Sequence, residues 1–443
     1  MKPTYWWTNA VFYELYIDRF AGNLAGLIDR LDYIKTLGID CIHLLPHYPS
    51  PMFDDGYDVS NYRDVRSSLG TLSDFTSLIQ EAHKRNIRVL TDLVLNHVSE
   101  EHPWFVEARC SKNNSKRDFF LWSDTGAELA DSTNNFPHLK PSNWIKNIET
   151  NDYYFTSFYP QQPDLNWRNP EVLQEMLAVM DFWIAIGVDG FRLDAAAHLI
   201  KKEGTKSKGL PETHAVLKQI RAHLNIINPD VVMLAEVSDP PEISRAYFGD
   251  GNECHLVYHF QMSETLIMAE VKGEPGLIDA MIKRSYPIPP NCQWAAFLRN
   301  HDELSLHNTI EEDRVLLFDY ADSEHKNTFK GNKGLSMRLA SIFKKDSLKM
   351  KHSLETLIKL PASPIIYYGE ELGMENDNTI GTQKDTRRYV RGIFEWDVAE
   401  EEIKNPNSLF SYVKKLLQER ASFRLSNETL QIPEVPNEEI LVR

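Results

Sequence analysis

Cysteine is scarce in this chain. Four residues in 443 carry a thiol, Cys41, Cys110, Cys254 and Cys292, and no C-x-x-C spacing occurs. That excludes a disulfide framework and gives no support to thiol-based metal or redox chemistry; three of the four lie in apolar, strand-like text, as buried free thiols do. Long hydrophobic runs are absent too, so no segment has the length of a membrane span. The opening residues, MKPTYWWTNAVFYE, lack a basic segment followed by an apolar stretch, so no secretion signal is read and a cytoplasmic protein is expected. Positive charge is in deficit. A formal net charge of −16 repels phosphate backbones and anionic bilayers alike, so neither nucleic acid nor membrane is an expected partner, and a small neutral molecule is. No H-E-x-x-H spacing provides a metal site.

What the chain does have is rhythm. Its length exceeds one ordinary domain, and strand-like runs alternate with helix-like ones. Strands are read at 10–20, 41–48, 87–97, 190–196, 231–237, 253–260, 293–302 and 363–372. Helices are read between them, for example from Asn169-Pro170-Glu171, a cap followed by proline, to Gly187, and a last one over 407–422. Eight such repeats predict a (β/α)8 TIM barrel formed by residues 1–98 and 166–425. Residues 99–165, rich in Asn, Ser, Lys and aromatics and without a clear period, are too long for a loop and are read as an inserted subdomain after the third strand. Residues 426–443 are read as the start or remnant of a C-terminal β domain that is otherwise absent.

The polar residues cluster at one end of the predicted strands: Pro46-His47, Asn96-His97, Arg192-Asp194, Glu236, His301-Asp302 and Glu370-Glu371. Barrel enzymes place their chemistry at that C-terminal rim. GFRLDAAAH (190–198) raises the sharpest question, because Arg192 and Asp194 lie two residues apart and so share one face of a strand, and burying such a pair is costly. Three carboxylates from three strands, Asp194, Glu236 and Asp302, are the equipment for glycoside cleavage, where one acid stays ionised and attacks while another donates a proton. Arg192 beside Asp194 favours its charged form. Glu236, at the end of the apolar MLAE, is expected to be desolvated and to serve as the donor.

These motifs resemble the α-amylase superfamily of glycoside hydrolases. DLVLNH (92–97), GFRLDAAAH, LAEV (234–237) and FLRNHD (297–302) match its four motif regions in order, and GYDV (56–59) and QPDLN (162–166) match two further ones. Within the superfamily the chain is most similar to the trehalose synthases, through YPSPMFDDGYDVSNY, NHVSEEHPWF, EGTKSKGLPETH, YFGDGNECH, NCQWAAFLRNHDEL and YYGEELGM, over roughly residues 5–395 and again through the last helix. The resemblance implies Asp194 as nucleophile, Glu236 as general acid/base and Asp302 as the carboxylate that grips sugar hydroxyls. It implies His97 and His301 as hydroxyl ligands and Tyr57 as the platform under the reacting glucose. It also implies Asp58 and Arg391 as a pair closing the far side of the pocket. Asn96 and Asp164 match calcium ligands of the family. The position expected to hold a glutamate there is Lys201, whose ammonium would repel or replace the ion, so no cofactor is required and calcium is disfavoured.

The family's RTPMQW is here RGIFEW (391–396), preceded by the basic DTRRYVR, and the segment after Trp396 is short. Arg387, Arg388 and Arg391 are either a solvated loop or a place for an anionic acceptor. The expected activity is retaining, trehalose synthase-like α-glucosyl transfer. Its alternatives are α-glucosidase or α-amylase hydrolysis with water as acceptor and, least, a silent sugar-binding barrel.

Overall fold

The computed structural model describes residues 5–382 and 384–425. Eight parallel strands close into a barrel: β1 (Phe12–Leu15), β2 (Cys41–Leu44), β3 (Arg88–Val94), β4 (Gly190–Asp194), β5 (Val232–Ala235), β6 (Leu256–Tyr258), β7 (Gln293–Phe297) and β8 (Ser363–Tyr367). Each runs inside one of the eight stretches read from the sequence; the polar ends lie beyond the last strand residues except in β4, where Arg192 and Asp194 are part of the strand. β1 pairs with both β2 and β8, with Phe12 opposite Cys41 on one side and Ile365 on the other, so no edge remains. The helices obey local chemistry. Asn169 caps the helix Pro170–Ile186 by accepting from the Glu171 N–H, and Gly187 ends it in the left-handed conformation that glycine tolerates.

The interior of the barrel has two layers. Phe12, Cys41, Leu90, Val232, Leu256 and Ile365 belong to one apolar cluster inside the barrel, closed below by Trp7. Gly190 keeps this layer tight, because a Cβ there would stand 2.5 Å from Leu90 and 2.6 Å from the Val232 carbonyl. Side chains two residues further along a strand point the same way, one layer higher. Those positions are Glu14, His43, Asp92 and Arg192, all fully buried. The strand pattern therefore switches the lumen from apolar to ionic within one step. Between strands and helices lies the main core, in which Trp183, Phe75 and Leu93 take part.

After β3 the chain leaves the barrel. It forms a helix (Pro103–Cys110) and a three-stranded antiparallel sheet of Trp122–Ser123, Asp152–Phe155 and Trp144–Asn147. It returns at Asp164, which bridges to His97. A second small sheet was not foreseen: Leu304–Ser305, Gly334–Leu335 and Thr328–Phe329 form an antiparallel trio over the mouth of β7, where the sequence reads as loop and helix. Cys41, Cys254 and Cys292 are buried free thiols, whereas Cys110 is exposed. Among the described residues no helix is long and apolar enough to cross a membrane. Residues 426–443, read as the start or remnant of a C-terminal β domain, lie outside the described residues.

Candidate active site

One guanidinium organises the centre. Arg192, at the middle of β4, donates from Nη1 to Asp194 Oδ1 at 2.7 Å and to Asp92 Oδ1 at 2.8 Å, and its Nη2 stands 3.1 Å from Glu236 Oε1. Glu236 also accepts from the Ala195 N–H at 2.9 Å. Ala195 offers that N–H from a left-handed conformation, φ 48°, a strain of about 1–2 kcal/mol for a residue with a Cβ. The chain reverses immediately after Asp194, and the strained turn aims an N–H at the neighbouring acid.

Two expectations change here. Glu236 is half-buried and faces a charge and an amide, not the apolar enclosure its MLAE context predicts. Nor does Arg192 serve Asp194 alone. Burial pushes the Asp194 carboxyl well above the usual carboxylate range; Arg192 pulls it down, and Glu236 and Asp92 push it up again. Three acids share one cation, so the cluster holds a proton more firmly than an isolated carboxylate would.

The ionic layer of the lumen supports this centre. The Tyr57 hydroxyl donates to Asp92 Oδ2 at 2.9 Å and lies 2.7 Å from His301 Nε2, and the two rings stack at 5.5 Å with an interplanar angle of 13°. His301 is held from behind by Glu14, whose Oε1 lies 2.9 Å from Nδ1 and accepts the His301 N–H at 3.0 Å. Glu14 in turn contacts His43 at 3.2 Å and accepts from the Tyr258 hydroxyl at 2.8 Å. His97 contacts the Tyr57 carbonyl through Nε2 at 3.1 Å, and burial lowers its pKa to about 4, so it is neutral. Glu14, His43 and Asp92 went unremarked in the sequence. The available signal was a lone polar residue inside each buried strand.

Asp302 completes the triad of acids. Its Oδ1 accepts from Arg391 Nη2 at 2.6 Å and lies 3.5 Å from Arg387 Nη1. Burial works to raise its pKa, but His301, Arg387 and Arg391 together hold it well below the usual range. Asp302 is thus ionised where Asp194 is drawn toward protonation.

The expected pairing of Asp58 with Arg391 does not occur. Asp58 turns into its own loop, accepting from Ser50 Oγ at 2.9 Å and from the N–H groups of Phe53 and Asp54 at 2.9 and 3.1 Å; burial pushes its pKa up to about 6. Arg391 is taken by Asp55, Asp302 and the His301 carbonyl. The ion pair at the cavity wall is instead Asp54 with Arg387, at 2.9 Å, four residues upstream of each predicted partner. Arg387 also reaches the Tyr159 hydroxyl at 3.0 Å and Asp385, and Gln162 donates to Asp54 at 3.1 Å. This clamp joins the 99–165 region to the basic run near the C-terminal end. Arg387 and Arg391 are nearly inaccessible, so neither is a solvated loop residue or a free cation for an acceptor, and Arg388 spends its charge on Asp55.

Asn96 and Asp164 do meet, together with Lys201. The ammonium of Lys201 donates to Asn96 Oδ1 at 2.6 Å, to Asp164 Oδ2 at 2.7 Å and to the His198 carbonyl. This donor set does not fit calcium, because its oxygens already converge on a cation of the chain itself. Burial lowers the Lys201 pKa, with Asp164 opposing. Glu370 and Glu371 are not part of the site. Glu371 accepts from Tyr13 and Tyr33 at 2.6 and 2.7 Å on the helix side of the barrel, and His47 packs beside Phe75 and Trp183.

Asp194, Glu236, Asp302, Tyr57, His97 and Arg387 line a single cavity of about 540 Å³, within the range of small-molecule sites. Its outer wall comes from Phe136 and Phe158 of the 99–165 region and from the unforeseen small sheet.

Known proteins share both sequence and fold. Residues 8–427 match the family described as alpha amylase, catalytic domain. A trehalose synthase/amylase of Mycobacterium tuberculosis is 41% identical over 396 residues, covering 87% of this chain and 65% of its own length, so the chain spans just under two thirds of that relative. A trehalose synthase of Pimelobacter sp. is 38% identical, covering 86% of this chain and 69% of itself. Among solved structures, an isomaltulose synthase mutant from Erwinia rhapontici NX5, in complex with its natural substrate sucrose, superposes with a TM-score of 0.74 at 26% identity, covering 95% of this chain and 84% of that one. By the span of the match and by these likenesses, the chain belongs to the α-amylase family, whose catalytic domain it carries from residue 8 to residue 427.

Proposed function

We propose that the protein is a retaining enzyme that acts on small α-linked glucosides by double displacement, with glucosyl transfer of the trehalose synthase kind as its main reaction. One observation carries this reading: Asp194 and Glu236 sit against the two nitrogens of one guanidinium and line the same cavity. Two acids held on one guanidinium stay near each other, and retaining glycosidases hold their two carboxyl groups about 5–5.5 Å apart.

In the first step Asp194 attacks the anomeric carbon while Glu236 protonates the glycosidic oxygen, giving a glucosyl ester on Asp194 and a free leaving sugar. In the second, Glu236 takes the proton of an incoming hydroxyl, that oxygen bonds to the anomeric carbon, and the ester opens. Arg192 withdraws from neither acid and offsets the charge that shifts between them. Asp302, ionised and braced by Arg391, accepts hydroxyl hydrogens of the bound ring, and neutral His97, its one N–H on the Tyr57 carbonyl, lines the pocket beside it. Tyr57, held by Asp92 and His301, offers its face beneath the ring. The Asp54–Arg387 pair closes the far end, which favours a terminal glucose over an internal one.

Lys201, on this reading, supplies in cis the positive charge that a calcium ion would bring to Asn96 and Asp164, and the enzyme works without added metal. Hydrolysis is the second reading, favoured by the name trehalose synthase/amylase of one relative. Incubation with maltose, trehalose and sucrose, followed by chromatography, separates them. Trehalose from maltose with little free glucose is expected; glucose alone would establish the hydrolase, and no turnover of any α-glucoside would refute both.

A further inference from the structure

Another part of the cavity lining, which shares Phe136 and Phe329 with Arg387, has a different character. Lys208, Lys330 and Lys333 line it together with His307. The protein as a whole carries a net charge of −16, so three ammonium groups converging on one hollow are not a sample of its average surface. Lys208 is balanced by Asp239 at 2.8 Å and Lys330 by Glu303 at 3.3 Å. Lys333 forms no ion pair among the described residues. His307 reports the local field: burial first, then Lys330, Lys333 and Lys208, lower its pKa to about 4, with Glu303 opposing.

Lys330 and Lys333 sit on the turn of the small sheet, between Thr328–Phe329 and Gly334–Leu335. Lys330, Gly331 and Asn332 all take left-handed conformations, at φ 51, 59 and 60°, which folds the turn tightly over the mouth of β7. The Lys330 ammonium lies 5.0 and 5.2 Å from the Phe136 and Phe329 rings, so its head is held beside two aromatic faces at the cavity wall. Ser305 and Asn308 add neutral polar groups to the same wall. The acids that would take the glucosyl unit lie on the floor.

We propose that this lysine wall is an acceptor subsite selective for an anionic sugar, one bearing a phosphate or carboxylate, to which the glucosyl group is transferred. The inference rests on the glucosyl-transfer reading of the floor. The ester bond between Asp194 and the anomeric carbon breaks, a hydroxyl of the anionic sugar forms the new bond, and its proton passes to Glu236. The acceptor's charge takes no part in the chemistry. Its role is to fix which hydroxyl faces the ester, through Lys330 and Lys333, and to outcompete water by occupancy.

The test is calorimetric titration of the full chain with glucose 6-phosphate, glucuronate and glucose at low salt, beside a turnover assay on 4-nitrophenyl α-glucoside. Both anionic sugars should bind at least about tenfold more tightly than glucose, a difference of a few weak charge contacts. Added salt and the Lys330→Gln/Lys333→Gln variant should each remove the difference. The ratio of phosphate to carboxylate binding identifies which anion the wall prefers. Equal binding of all three sugars overturns the subsite whatever the turnover. An unchanged preference in the double variant also overturns it, because the anion then binds elsewhere. Tight anion binding without any turnover leaves the anion site standing and refutes the glucosyl reading of the floor instead.

Discussion

Asp92 and Arg192 lie opposite each other on adjacent strands, and both carboxylate oxygens of the aspartate contact the same guanidinium nitrogen, at 2.8 and 3.0 Å. Asp92 reaches no substrate. Its place is below the floor, where it fixes the cation that two reacting acids use. Asp92→Asn is expected to lower stability by about 3–5 kcal/mol, the usual result of unpairing a buried charge. It should also cut kcat well beyond any change in KM. Thermal unfolding with parallel kinetics checks this, and a variant as stable and as fast as wild type would show that Arg192 needs no such anchor.

Asp194→Asn keeps the shape of the nucleophile and removes its charge. Turnover of 4-nitrophenyl α-glucoside should fall by at least about a thousandfold, as for loss of a covalent catalyst, with the unfolding temperature lowered little. Retention of a tenth of the activity would remove Asp194 from the chemistry.

Acid should inhibit the enzyme early. Burial raises the Asp194 carboxyl, and the attacking form is the ionised one, so kcat/KM should fall with decreasing pH at a value above the ordinary aspartate pKa of about 3.9. Asp302 contributes no limb in that range, being held ionised by His301, Arg387 and Arg391. Its sign in stability is the opposite one. The group is depressed, so its contribution is complete above the unfolded value and is lost only as pH falls toward the lowered one. A kcat/KM profile flat down to pH 4 would contradict the environment assigned to Asp194.

The Asp54–Arg387 clamp is separable from the chemistry by a double-mutant cycle. Asp54→Ala and Arg387→Ala should each raise KM more than they lower kcat, and the pair should couple by about 1–3 kcal/mol, as contacting charges do. Simple additivity would mean that the two charges act independently.

Lys201 gives the clearest metal test. Chelators should leave wild-type activity and melting temperature unchanged. Lys201→Ala strands Asp164 in the interior and should cost about 3–5 kcal/mol; calcium in the buffer should restore part of that loss, by binding the oxygens the ammonium vacated. Calcium that stabilises wild type equally would show that the ion has a site elsewhere.

Much of this was legible beforehand. All eight barrel strands announced themselves as short apolar runs, and six of them carry a polar end. The floor acids were visible because a charged residue at such an end has few structural uses. Pairings across the fold were not visible. Asp58 looks like the partner of Arg391 in sequence, but the loop 50–58 curls so that Asp58 satisfies its own N–H groups and Asp54 faces the cavity. The sheet that carries Lys330 and Lys333 also went unseen, because its strands are two residues long and show no period. Arg387 read as a loop cation for the same reason: nothing local reveals that Asp54, 333 positions away, is its partner.

The barrel is sealed by its first and last staves, Phe12 against Ile365. A chain emerging from the ribosome therefore carries β1 with one edge open, its other edge taken by β2, until some 350 further residues have been made, and that raw edge is a template for a neighbouring nascent chain. Release from the tunnel, not local helix formation, sets when the molecule becomes safe from aggregation. A rearranged gene in which β8 precedes β1 would move that open seam to β7 and β8 without shortening the interval, because a closed cylinder always waits for its last stave.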